Sequence, residues 1–267
     1  MTTRIGLFGA GGRMGRMLIK TISEDGRTEL AAAAERAGSA LVGQDAGTLA
    51  GVGVLGVPIV DQDASIFASD AVIEFTLPEV TLAHARAASA AGTPIVIGTT
   101  GLNAEQEAEL AELGRTIPIV YAPNMSAGVN LLLALVERVA ASLGPDAWDI
   151  EVVEMHHNRK IDAPSGTAIG LGRAAATGRE RPFDEVAVLS REGQTGARRA
   201  GDIGFATLRG GDVVGEHTVI FAGDAERIEL THKAGDRRIF ANGAVQAACW
   251  IVGKPAGLYS MRDVLNL

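Results

Sequence analysis

One short stretch of the chain gathers groups that can move a proton and hold an anion. It reads Glu154-Met-His-His-Asn-Arg-Lys-Ile-Asp-Ala-Pro-Ser-Gly-Thr-Ala168 and packs His156, His157, Arg159 and Lys160 into five residues. Pro164 and Ser165 then lead into Gly166 and Thr167, where a helix is expected to start with the serine as its N-cap. The first N–H groups of a helix have no partner within it and carry its positive dipole end, so Gly166 and Thr167 are candidates to seat a carboxylate. Imidazole and ammonium groups beside such a seat can neutralise charge and supply a proton. Three blander readings compete. A run of charges is often only a solvated turn, and one of two adjacent histidines is open to a purely structural role. Zinc is disfavoured, because neighbouring side chains on a strand point to opposite faces and the single thiol, Cys249, is distant in sequence. No metal is expected. A basic cluster directly before a capped helix start favours anion binding over all three.

A second constellation lies near the N-terminus, where Arg4-Ile-Gly-Leu-Phe-Gly-Ala-Gly-Gly-Arg-Met-Gly15 joins a strand-like run to a helical one. Glycines there let the backbone turn sharply and approach a pyrophosphate, which the following helix N-terminus then holds. The spacing is G-x-x-G-x-x-G at Gly9, Gly12 and Gly15, with Met14 where a strict G-x-G-x-x-G would place its third glycine. Alone, this is also the signature of a tight turn without ligand. Glu35 strengthens it: it follows Gly15 by 20 residues, at the expected end of the second strand, where a carboxylate can accept the adenosine ribose hydroxyls. Arg36 beside it has the chemistry to meet the 2′-phosphate of NADP. Gly9, Ala10, Gly11, Gly12, Arg13, Met14, Glu35 and Arg36 are therefore candidate cofactor contacts. Gly98-Thr99-Thr100 and Ala122-Pro123-Asn124-Met125 each follow a strand and are candidates to line the nicotinamide end.

These residues need elements to hold them. Apolar runs predict strands over 4–8, 29–34, 70–75, 94–97 and 117–121, alternating with helices over 14–22, 80–91 and 104–113. Such alternation predicts an α/β, Rossmann-like parallel sheet covered on both faces, spanning 1–127. The pattern then changes. A helix over 131–142, a strand over 149–155 and a helix over 165–176 are followed by strand-like runs over 186–190, 203–208, 213–221 and 227–231 without a long helix between them. That predicts an α+β substrate-binding domain with a mostly antiparallel sheet over 128–236. A helix over 238–252 opens a C-terminal segment, 237–267, expected to return to the dinucleotide-binding domain.

Composition bounds the function. The 267 residues are 47% hydrophobic and carry a formal charge of -8. An acidic chain with 4% aromatic residues suits neither non-specific nucleic-acid binding nor a base-stacking platform. An anionic substrate must be met by a local basic cluster. Cys249 forms no internal disulfide and is expected to be a small core residue. The N-terminal residues do not resemble a signal peptide, and no apolar run reaches the roughly 18 residues of a membrane span. A cytoplasmic protein without membrane or nucleic-acid partners is expected.

At this point the motifs resemble those of the dihydrodipicolinate reductase family. The matching residues are Gly9-Ala-Gly-Gly-Arg-Met-Gly15, Glu35-Arg36, Gly98-Thr-Thr-Gly101, His156-His157 through Lys160, Asp162-Ala-Pro-Ser-Gly-Thr-Ala168, Gly210-Gly-Asp-Val-Val-Gly-Glu-His-Thr-Val219 and Arg237-Arg-Ile-Phe-Ala-Asn-Gly-Ala244. They span nearly the whole chain, and the stretch from the histidines to Ser-Gly-Thr is the most specific. Asn158 and Arg159 depart from common members. The resemblance implies reduction of a small dicarboxylate, the 4-hydroxy ring compound, to tetrahydrodipicolinate by NADH or NADPH, in lysine and diaminopimelate biosynthesis. It implies a homotetramer built by the second domain. It implies His156 as the proton donor and acceptor position and Lys160 as general acid. It further implies His157 at the substrate, and Gly166 and Thr167 holding a carboxylate through their N–H groups. His84, His217 and His232 receive no role from it. Another nicotinamide-dependent dehydrogenase, such as an amino-acid dehydrogenase, and a non-catalytic dinucleotide sensor are the competing readings.

Overall fold

Ile5 and Leu7 face one side of the first strand and Phe8 the other, and all three are buried. A strand buried on both faces needs helices on both. The computed structural model describes residues 2–61 and 64–267. In chain order the elements are β1 (Thr3–Phe8), α1 (Arg13–Glu24), β2 (Thr28–Glu35), α2 (Ala46–Ala50), β3 (Ile59–Asp61), a 3-10 turn (Ala64–Ala68), β4 (Ala71–Glu74), α3 (Pro78–Ala91), β5 (Ile95–Ile97), α4 (Ala104–Leu113) and β6 (Pro118–Tyr121). They continue with α5 (Ala127–Ser142), β7 (Asp149–His156), α6 (Gly166–Gly178), α7 (Phe183–Val186), β8 (Ala187–Val188), β9 (Ile203–Arg209), β10 (Gly215–Ala222) and β11 (Arg227–Ala234). The last are α8 (Arg238–Ile251), β12 (Gly257–Tyr259) and α9 (Met261–Leu265).

The chain divides into two units, residues 1–127 with 238–266, and residues 128–237. The first holds a seven-stranded sheet in the order β12-β6-β5-β4-β1-β2-β3, parallel throughout. Strand direction of build reverses between β1 and β4, the switch point outside which α/β sheets bind ligands. On one face Ile5, Leu7, Ile73, Val96 and Val120 pack under α1 and α8. On the other, Phe8, Val72, Ile95, Ile97 and Ile119 meet Leu82, Ala85 and Ala88 of α3 and Leu110 of α4. The helix α8 lies very close: a Cβ on Gly243 would stand 1.7 Å from the carbonyl oxygen of Met125.

The second unit holds a five-stranded sheet in the order β11-β10-β7-β9-β8. The strand β10 runs antiparallel to both neighbours in ladders of eight and seven residue pairs. The parallel pairings of β9 with β7 and β8 hold seven and two, so the sheet is mostly antiparallel. Strict alternation along β7 buries Ile150, Val152, Glu154 and His156 on one face. The first two join Val219, Phe221, Ile203 and Phe205 in an apolar core with Leu171 and Ala175 of α6. The last two continue the same face as a polar patch.

Some elements differ from the expectations. Residues 36–69 carry α2, β3 and the 3-10 turn, where no element was expected. One side chain organises part of this stretch: the Asp45 carboxylate accepts the N–H groups of Thr48, Leu55, Gly56 and Val57 at 2.8 to 3.2 Å. The strand expected over 186–190 is only Ala187–Val188, because the residues before it close a helical turn whose Phe183 stacks edge-on against Phe205 at 6.1 Å. Cys249 is half-buried rather than a core residue, on the side of α8 near Arg27 and Asp25. Burial raises its thiol pKa, against a hydrogen bond with Thr3, so it is no activated nucleophile.

Candidate active site

In the first unit the candidate cofactor residues gather at the carboxyl ends of the strands. Gly9 adopts φ +74°, a left-handed turn that leaves β1. The N–H groups of Gly9 and Ala10 donate to Ala34 O at 3.0 and 3.1 Å, and tie the loop to β2. Gly12 is the N-cap of α1, with no side-chain cap, and Arg13 and Met14 form the first turn. Glu35 ends β2 and reaches back to the loop, where its Oε1 accepts the Gly11 N–H at 2.7 Å. A Cβ on Gly11 would come within 2.3 Å of Leu41 Cδ1 and 2.9 Å of that oxygen, so either side-chain end would have to move aside for a larger residue. Arg36 is exposed next to it.

Gly98 lies against the Phe75 ring, where a Cβ would be 2.0 Å from Cζ. Thr99 is buried, and its hydroxyl accepts the Thr76 N–H at 3.1 Å; Thr100 is exposed. Behind them sits Glu74, which is fully buried and was not singled out from the sequence. Its Oε1 accepts the Thr76 N–H and the Thr76 and Thr81 hydroxyls, and its Oε2 meets His84 Nδ1 at 2.7 Å. The His84 ring stacks on Phe8 at 3.8 Å. His84 thus braces the β4 and β5 ends from inside. Ala122 and Met125 are buried, Pro123 is exposed, and Asn124 Oδ1 accepts the Ser126 N–H at 2.9 Å. The glycine cradle, the carboxylate at the end of β2 and the position at the switch point fit a nicotinamide dinucleotide.

In the second unit the candidate catalytic stretch surrounds the polar patch on β7. His156 is buried at the strand's end, and its Nδ1 lies 2.6 Å from Glu154 Oε2. Glu154 is 1% exposed and organises everything near it. Arg209 of β9 meets both its oxygens at 2.8 and 2.9 Å, Thr207 donates to Oε1 at 3.3 Å, and the Ser165 N–H donates to Oε1 at 3.0 Å. Burial alone would raise this carboxyl's pKa, but Arg209, His156 and the Ser165 N–H together hold it below its ordinary value. Ser165 caps α6 by accepting the Ala168 N–H at 3.1 Å, which sets Gly166 and Thr167 in the first turn.

His217 of β10 closes the patch. Its Nε2 lies 3.0 Å from Ser165 Oγ, and its ring meets that of His156 edge-on at 5.0 Å. Burial, and then the nearby His156, push its pKa down to about 4. His217 is therefore neutral at physiological pH. His232 faces His217 across the β10–β11 ladder and is also pushed down by burial. Between about pH 6.5 and about 4 the folded chain binds fewer protons at His217 than the unfolded chain does. The stability this site contributes is complete above about pH 6.5 and is lost as pH falls toward about 4. At about 1.4 kcal/mol per pKa unit the loss approaches roughly 3 kcal/mol. Thermal unfolding of the chain should fall steeply across that window, and His217→Asn should flatten the fall. An unchanged slope in the variant would place the acid sensitivity elsewhere.

His157 is half-buried, and its pKa is lowered by desolvation and by the charges of Arg159, Arg237, His156 and Lys160. Lys160 is folded back by a hydrogen bond from its N–H to His157 O at 3.1 Å. Its Nζ pairs with Asp162 Oδ1 at 2.8 Å. Among the described residues no group of three His, Cys, Asp or Glu side chains is placed to hold a metal ion. The sequence reading missed Glu154, Thr207 and Arg209 as site residues. The signal for Glu154 was present, since it follows Ile150 and Val152 in the buried phase of the strand, two residues before His156.

The comparisons with known proteins cover the chain from end to end. The family described as dihydrodipicolinate reductase, N-terminus, matches residues 3–125, and its C-terminus counterpart matches residues 128–265. A 4-hydroxy-tetrahydrodipicolinate reductase of Magnetococcus marinus is 53% identical over 267 residues, 100% of this chain and 99% of that one. One from Afipia carboxidovorans is 56% identical over 265 residues, 99% and 97% of the two chains. Among solved structures, a dipicolinate-bound dihydrodipicolinate reductase from a Paenisporosarcina species shares the fold with a TM-score of 0.77 at 24% identity, covering 97% and 98% of the two chains. An amine dehydrogenase of Mycobacterium smegmatis shares it at a TM-score of 0.67 and 13% identity, covering 98% and 95%.

Proposed function

The chain belongs to the dihydrodipicolinate reductase family, and from that premise we propose that it reduces 4-hydroxy-tetrahydrodipicolinate to tetrahydrodipicolinate with NADH or NADPH, in lysine and diaminopimelate biosynthesis. One observation supports the substrate class above the others. A single buried carboxylate, Glu154, binds both His156 and the Ser165 start of α6, and so sets a proton-handling ring beside a helix N-terminus suited to a carboxylate. Neither an amino-acid dehydrogenase nor a dinucleotide sensor needs that pairing.

A bound NADH or NADPH would supply the hydride. Gly9 to Met14 would hold its pyrophosphate, Glu35 its ribose, and Gly98 to Thr100 with Ala122 to Met125 its nicotinamide end. Gly166 and Thr167 hold one substrate carboxylate, and His157 contacts the substrate. The 4-hydroxyl leaves as water, and the ring that takes up a hydride also takes up one proton; Lys160 would deliver that proton, and His156 would maintain the protonation state around it. For this, Lys160 exchanges Asp162 for the substrate. Asp162 is exposed and its pair with Lys160 is of the kind worth at most about 1 kcal/mol, so the exchange is easy.

Arg36 is assigned to the 2′-phosphate. Arg36→Ala should weaken NADPH binding by about 10-fold, the scale of one charge-assisted hydrogen bond, and leave NADH binding nearly unchanged. Equal losses for the two cofactors would remove that assignment.

The sheet of the second unit turns Val153, Met155, Leu208 and Ile220 to the face opposite α6, and none of them is fully buried. That face supports assembly into the homotetramer, which sedimentation should detect; a monomer at micromolar concentration would refute it. No helix among the described residues is long and apolar enough to cross a membrane, and a cytoplasmic location is proposed with the biosynthetic role.

The activity is tested by generating the unstable substrate in place from pyruvate and aspartate semialdehyde with a dihydrodipicolinate synthase. Loss of reduced-nicotinamide absorbance that depends on the synthase is the expected result. No loss with either cofactor, from folded protein that binds both, would transfer the chain to another nicotinamide-dependent reaction.

A further inference from the structure

We infer that Glu154 is a positioning residue that fixes which nitrogen of His156 exchanges protons and, through the same carboxylate, holds the start of α6. The inference rests on the proposed role of His156. It begins from how the carboxylate's two oxygens are used. Oε1 accepts Ser165 N–H, Arg209 Nη2 and the Thr207 hydroxyl, while Oε2 accepts Arg209 Nη1 and faces His156 Nδ1. A carboxylate that accepts two guanidinium N–H groups is ionised and can only accept, so Nδ1 of His156 must carry the hydrogen. The working nitrogen is then Nε2, which takes and returns the proton as a lone pair and as an N–H in turn.

The backbone beside Nε2 is shaped for this. Gly215 stands opposite His156 at the start of β10, and a Cβ there would come within 3.0 Å of Nε2. The ring has no freedom to flip without leaving Glu154. Its neighbours are the Glu154 carboxylate on its own strand, the Arg209 guanidinium on β9 and the neutral His217 ring on β10, a ring that also feels His232 and Lys160. Arg209 has a second duty: its Nη2 also donates to Asp162 O at 2.6 Å, so the turn carrying Lys160 is tied to the same carboxylate. Glu154 therefore links the ring, the turn and the helix start, and displacing it moves all three relative to a bound dicarboxylate.

The first test needs no variant. Nitrogen chemical shifts of the histidine rings in the full-length protein should show His156 as the Nδ1–H form at neutral pH; an Nε2–H form would overturn the inference. The second test is Glu154→Gln, with Glu154→Asp beside it. Glu154→Gln should lower kcat by at least about 10-fold, part of the roughly 10²–10⁴ that a positioned proton-transfer group contributes. It should also weaken binding of pyridine-2,6-dicarboxylate, because the helix start loses its anchor. NADH binding should stay within twofold, because it belongs to the other unit. Glu154→Asp, which keeps the charge, should recover the Nδ1–H signal and part of kcat. Full kcat and unchanged dicarboxylate binding in folded Glu154→Gln protein would overturn the positioning role. If instead His156→Ala keeps full activity, the proposed role of His156 fails, while the ring-nitrogen measurement still decides whether Glu154 sets its tautomer.

Discussion

Lys160→Ala is expected to lower kcat by about 10²–10⁴-fold, the usual loss when a positioned proton donor is removed. The affinity for NADH and NADPH should be unchanged. The argument is one of supply. Around the patch, His156 at the end of β7 is bound to Glu154, His217 of β10 is neutral, and His157 is disfavoured as a cation by desolvation and by the neighbouring Arg159, Arg237 and Lys160. Lys160, in the turn after β7, is the proton donor whose side-chain partner, the exposed Asp162, is weak enough to release it. Its loss removes the proton while leaving the fold intact, since the side chain packs in a turn and not in the core. Steady-state rates with saturating substrate, paired with cofactor titration by fluorescence, separate the two effects. Turnover within threefold of the parent chain would remove Lys160 from the chemistry. Lys160→Arg should not restore it, because a guanidinium does not give up its proton in this range.

Gly15→Ala is expected to weaken both cofactors by up to about 10²-fold, the cost of misplacing a binding group by about 1 Å. The added Cβ would stand 2.1 Å from the carbonyl oxygen of Gly9 and 2.8 Å from the main chain of Ala10. These are backbone atoms, so no side-chain end can swing aside. Either α1 or the glycine loop must retreat, and the first-turn N–H groups of Arg13 and Met14, proposed to meet the pyrophosphate, would move with them. Overpacking of this kind also costs about 1–3 kcal/mol of stability. Binding of pyridine-2,6-dicarboxylate by the variant shows that the second unit is folded, and isothermal titration then reads the cofactor alone. Unaltered NADH affinity would mean that the loop does not carry the pyrophosphate.

The same contrast between strong local patterns and remote partners separates what was legible in the sequence from what was not. The parallel sheet was legible because β1, β4, β5 and β6 are apolar on both faces and end at glycine or polar turns. The strands β3 and β12 were not, because each is a three-residue edge piece held by pairing and not by its own pattern. The histidines and Lys160 stood out by charge density in an acidic chain. Arg209 could not, because a lone arginine at the end of a strand looks solvated until register sets it beside His156. Glu74 and His84 were hidden for the same reason: one ends β4 and the other lies on α3, and they meet only once that helix packs on the sheet.

The division of the first unit between residues 1–127 and 238–266 carries a consequence for biosynthesis of the chain itself. A ribosome delivers the strands β1 to β6 and α1 early, but α8, which with α1 covers Ile5, Leu7, Ile73, Val96 and Val120, emerges only after the whole second unit. Until Ala241, Ala244, Val245 and Ala248 arrive, that sheet face is covered by α1 alone, and the edge of β6 that β12 later occupies is unpaired. The second unit, whose core draws on none of those residues, can mature in the interval. Nascent chains halted between the two halves are thus the form most exposed to chaperones and to self-association, and the glycine at 243 is what lets the late helix close down on the finished sheet.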